Sequence, residues 1–139
     1  MFNKKKQPPI KSLIAEGSHI DGNFRFVDGL RIDGALVGNI SGNADQASIL
    51  VISESASVTG EVRADHIIIN GAVNGPVHAR VMLELQPKAR ITGDVHYTAL
   101  EMHQGALIAG LLCPMVDGAD KGDKGDEQKP TLKLAANNL

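Results

Sequence analysis

An aliphatic residue, any residue, glycine, any residue and a second apolar residue follow one another six times in this 139-residue chain. The copies are Ile20–Gly22–Phe24, Leu36–Gly38–Ile40, Val58–Gly60–Val62, Val73–Gly75–Val77, Ile91–Gly93–Val95 and Ile108–Gly110–Leu112. Successive glycines are 16, 22, 15, 18 and 17 residues apart. A recurrence of this size marks a solenoid, in which each repeat is one rung that buries its apolar face only against its neighbours.

A second apolar pair follows each of the first five copies: Leu30 and Ile32, Leu50 and Ile52, Ile67 and Ile69, Leu83 and Leu85, Leu100 and Met102. Spacing of i and i+2 is strand periodicity, not the 3.6 of a helix. Turn-forming residues come next, as Asp33-Gly34, Ser53-Glu54, Asn70-Gly71, Gln86-Pro87 and His103-Gln104-Gly105. One rung therefore reads as strand, bend, strand and corner. Stacked rungs would set Ile on Val on Ile, which suits a chain that is 42% hydrophobic with four aromatic residues and no Trp. The expected fold is an all-β, single-stranded parallel β-helix of about six rungs, a rod of roughly 25–30 Å.

The rod is expected over residues 16–113, with a basic flexible tail at 1–15 and a disordered tail at 114–139. In the latter, five acids and four lysines nearly cancel and nothing can build a core. Thr131-Leu132-Lys133-Leu134 reads as solvated. A net charge of −2 argues against general nucleic-acid binding. One cysteine, Cys113, makes no internal disulfide and suits a reducing cytosol. No apolar run is long enough to span a bilayer. The lysines near the N-terminus are not followed by the hydrophobic stretch of a secretory signal.

The rungs, their irregular spacing, the small size and the Met-Phe-Asn-Lys-Lys opening together resemble the bactofilins, bacterial polymer-forming cytoskeletal proteins. That resemblance implies a right-handed β-helix that polymerises without nucleotide, through end-to-end contacts, into non-polar filaments. It also implies a peripheral scaffold on the inner face of the cytoplasmic membrane that recruits cell-wall (peptidoglycan-modifying) enzymes. No cofactor is implied.

Two stretches give these implications a physical basis. The terminal rungs end in unpaired strand edges over an apolar column, with no polar capping repeat or helix in the sequence. Ile14, Ile20, Phe24 and Phe26 at one end, and Leu107, Ile108, Leu111, Leu112 and Met115 at the other, are the expected polymerisation faces, like end meeting like end across a twofold axis. Ahead of the rod, Met1, Phe2, Lys4, Lys5, Lys6 and Lys11 precede any acidic residue and form the expected membrane-binding segment. At about 1 kcal/mol per lysine and about 2 kcal/mol for an inserted Phe2, one tail holds anionic lipid weakly. A filament displaying many tails would hold firmly.

The rival is a hexapeptide-repeat enzyme, an acyltransferase or metal-dependent hydratase, which uses histidines as general base or ligand. His78 and His96 occupy equivalent places in adjacent rungs, in an expected outer column of Arg25, Ser41, Arg63, His78, His96 and Cys113. Arg63 in that column would repel a cation, while His19, His66 and His103 fall at other phases. Rungs of 15 to 22 residues also lack a strict six-residue rhythm. No phosphate-cradling loop and no Ser-His-Asp set is legible, so no catalytic, cofactor or metal residue is assigned. A β-helical adhesin is disfavoured by the absence of a secretory signal and of disulfides.

Overall fold

The computed structural model describes residues 8–115. The expectations for Met1, Phe2, Lys4, Lys5, Lys6 and the segment beyond Met115 lie outside the described residues. Among the described residues there is no helix; sixteen strands wind into a parallel solenoid of six turns.

Each turn has three sides. The first face stacks β1 (Ile10–Ile14), β4 (Asp28–Ile32), β7 (Ser48–Ile52), the second half of β9 (Val62–Ile69), the second half of β11 (Val77–Leu85) and β14 (Leu100–Met102). The second stacks β2 (His19–Asp21), β5 (Ala35–Val37), β8 (Ser57–Thr59), β10 (Ala72–Asn74), β12 (Arg90–Thr92) and β15 (Leu107–Ala109). The third stacks β3 (Phe24–Phe26), β6 (Ile40–Gly42), the first halves of β9 and β11, β13 (Val95–Tyr97) and β16 (Leu112–Pro114).

The two-strand rung expected from the sequence thus becomes three strands, because the glycine motif is not one strand. Its first apolar residue lies on the second face and its last on the third, with the glycine at the corner between them. Both apolar positions form unbroken columns. Ile20, Leu36, Val58, Val73, Ile91 and Ile108 are register partners on the second face. Phe24, Ile40, Val62, Val77, Val95 and Leu112 are partners on the third. The expected pairs Leu30/Ile32 through Leu83/Leu85 complete the core from the first face, each fully buried. Another inward column on the third face runs Phe26, Gly42, Ala64, Ala79 and Tyr97: the rings sit towards its ends and small residues between them.

Why glycine recurs is clearest at Gly60, where φ is +144° and an added Cβ would overlap the carbonyl oxygen of Gly38 in the preceding turn. Side chains after the glycines reinforce this corner. Asn23 Oδ1 accepts from the Asn39 N–H, Asn39 Oδ1 from the Glu61 N–H and Asp94 Oδ1 from the Leu111 N–H, each at 3.0 Å. The 22-residue step is explained by the loop at 43–47, which leaves the third face after β6 and returns at the buried Ser48. Ser48 Oγ then accepts from the Asp65 N–H at 3.0 Å.

The expected boundary at residue 16 needs moving. β1 begins at Ile10 and already pairs with β4, so residues 10–15 belong to the first turn and not to a flexible tail. At the other end β16, the last strand among the described residues, closes at Pro114.

Candidate functional site

The strand order leaves two ends. β1, β2 and β3 have no neighbour on one side among the described residues, and β14, β15 and β16 have none on the other. Every expected polymerisation residue falls in one of these two terminal turns, but not all face outward along the rod. Ile14, Phe26 and Leu112 are only 6% exposed, so they already belong to the core of a single chain. Leu107 is 58% exposed on β15. Leu111 is exposed at the corner before β16, and Met115, just after β16, is half-buried. Ile20 and Phe24 at one end, and Ile108 at the other, pack partly against the core and stop its columns. Leu100 and Met102 stop the first-face columns in the same way and were missed as end residues. Their signal was present, as the fifth of the second apolar pairs.

Lys11 is placed in β1, where its ammonium pairs with Asp28 at 2.8 Å. Its charge is therefore balanced on the rod, unlike the expectation that groups it with the lead-in lysines. Ile10 and Leu13 on the same strand are exposed.

The outer column of the third face has the expected order, Arg25, Ser41, Arg63, His78, His96 and Cys113. The rings of His78 and His96 stack 4.4 Å apart and 5° from parallel. Burial lowers the His78 pKa below 6.5; His96 and Arg63 lower it further, against an opposing pull from Glu61, whose carboxylate lies 3.1 Å from His78 Nε2. Arg63 also pairs with Glu61. This arrangement disfavours a cation between the rings and favours a neutral His78 imidazole.

A second group was not anticipated. His103 Nε2 lies 3.0 Å from Glu84 and 3.6 Å from Glu101, so an imidazole sits against two carboxylates from neighbouring strands of the first face. Three potential metal ligands meet there. The sequence hint was the shared middle position of Leu83-Glu84-Leu85 and Leu100-Glu101-Met102. The histidine bridging two acids is also what relieves like charges stacked across a strand pair. His66, at another phase as expected, is buried between the register partners Ile49 and Met82.

A parallel β-solenoid whose terminal strands lack a neighbour among the described residues presents a sheet edge at each end. No helix is long and apolar enough to cross a membrane among the described residues. The family model for bactofilins, described as polymer-forming cytoskeletal, matches residues 12–112, and the chain belongs to that family. No curated protein and no solved structure matches it. Membership defines a structural, cytoskeletal protein that associates with itself.

Proposed function

We propose that this chain is a cytoskeletal scaffold that assembles end to end, without nucleotide, into non-polar filaments lying on the inner face of the cytoplasmic membrane. The observation that carries this reading is the pair of terminal turns that are open among the described residues, where strand edges and apolar columns stop together. A narrow end face buries little area compared with an ordinary stable interface. Continuing the stack satisfies backbone edges and apolar columns at once, which a lateral contact does not. Like ends meeting across twofold axes give a filament without polarity.

The lead-in supplies the membrane contact. With Lys11 engaged by Asp28, the lead-in cations counted toward the membrane contact are Lys4, Lys5 and Lys6. Those lysines and Phe2 contribute about 5 kcal/mol together, a dissociation constant of hundreds of micromolar for one tail. Attachment then depends on assembly, through many tails on one filament. Clients on this scaffold are peptidoglycan-modifying enzymes, in keeping with the family likeness.

The test uses Phe24→Arg and Ile108→Arg, at partly buried positions where columns stop, in preference to the core residue Leu112. Both variants should sediment as folded monomers or dimers while the parent pellets as filaments. Removing residues 1–6 should release the protein from phosphatidylglycerol vesicles yet preserve filaments. Long filaments from both arginine variants would remove the end faces as the contact.

A further inference from the structure

Outside the corner between the third and first faces runs a groove of about 800 Å³ that the filament reading does not use. Four cations line it, Lys11 from β1, Arg25 from β3, Arg63 from β9 and Arg80 from β11, and no carboxylate does. The acids that pair with three of them, Asp28, Glu61 and Asp65, are not part of the lining. Arg25 has no ion pair among the described residues. Arg80 donates Nε to Asp65, and its Nη2, closed off from solvent, meets no acceptor. Positive charge in this groove exceeds what the fold itself consumes.

The register gives that charge a geometry. Arg25, Ser41 and Arg63 are consecutive partners in the outer column of the third face, so two guanidinium groups flank a hydroxyl from adjacent strands. Their backbones are two strand spacings apart, roughly 9–10 Å, which both long side chains can bridge. Guanidinium forks match phosphate oxygens, and the apolar wall of Phe24 and Phe26 keeps the local dielectric low.

We propose that this groove binds a phosphate-bearing anion, gripped by Arg25 and Arg63 over the Ser41 hydroxyl. The phosphate comes either from a soluble compound or from an anionic lipid headgroup. Phe24 belongs both to the groove and to the N-terminal end face, so a bound anion lies against the polymerisation contact.

Phosphorus NMR of the full chain tests it with two probes, inorganic phosphate and monomeric dihexanoyl phosphatidylglycerol. Arg25 and Arg63 are both exposed, so Arg25→Gln and Arg63→Gln leave the fold intact. Saturable line broadening is expected, weakened about tenfold in each variant. Broadening of both probes assigns a headgroup-compatible site, and broadening of phosphate alone assigns a soluble ligand. No saturable binding of either probe, or binding unchanged in both variants, overturns the proposal. A lead-in that fails to hold vesicles leaves these outcomes unaffected, because neither substitution touches residues 1–6.

Discussion

Gly60 and Gly22 occupy the same corner with nearly the same backbone, φ +144° and +135°, yet differ in what lies beside them. A Cβ at Gly60 overlaps the Gly38 carbonyl, whereas one at Gly22, in the first turn, meets nothing within 4 Å. Gly22→Ala should therefore cost only the positive-φ strain, about 1 kcal/mol, and Gly60→Ala about 2–4 kcal/mol. Urea unfolding in an assembly-blocked background measures both, and equal costs would contradict the stacked-corner explanation. At His78 the relevant variable is pH. Its folded pKa lies below 6.5, so the unfolded chain takes up the proton first as pH falls. The stability this neutral imidazole retains at pH 7 should diminish once pH drops below 6.5. His78→Gln should flatten the dependence of melting temperature on pH between about 7 and 5; an unchanged slope would refute the assignment.

Elements in this fold differ mainly in how many neighbours they have. Strands of the middle turns are sandwiched, and Leu50, Ile52, Ile67 and Ile69 are fully buried. β2 and β15 are the two outermost strands of the second face, each with one partner among the described residues. Amide hydrogen exchange should be slowest in the middle turns and fast in β2 and β15 of the Phe24→Arg protein. In assembled parent protein both edge strands should become protected; protection confined to the middle would mean the ends stay bare. This contrast also marks what the sequence could convey. Six turns were legible because one motif recurs at each turn with its apolar positions unbroken. The third side was not, since i and i+2 spacing looks alike whether a strand continues or resumes beyond a glycine corner. β1 escaped notice because Leu13 points outward beside the inward Ile14, and its register shifts between Ile10 and Ser12. The outer histidine column was readable from the glycine phase. Glu84, Glu101 and His103, and the cations of the groove, come together only through register between turns many residues apart.

Among the described residues the molecule is a short rod whose strands are paired along its length and unpaired at both ends. Its sides carry paired charges, such as Arg31 with Asp33 and Arg80 with Asp65, and repeat from turn to turn. Its ends present whatever stopped the columns, Ile20 and Phe24 on one and Ile108 and Met102 on the other. On the proposed reading, assembly through these apolar ends should need no nucleotide and should respond to ionic strength less than the lysine-rich lead-in does. Filament geometry follows from the rod itself. Six turns at about 4.8 Å give roughly 29 Å per subunit along the axis, and like ends meeting doubles the repeat to roughly 58 Å. Electron microscopy of filaments grown from pure protein without nucleotide, with the axial repeat read from their diffraction, measures this directly. A repeat near twice the rod length, with no distinguishable filament direction, is the predicted result; monodisperse monomers at high concentration, or filaments with a single-subunit repeat and clear polarity, would contradict it.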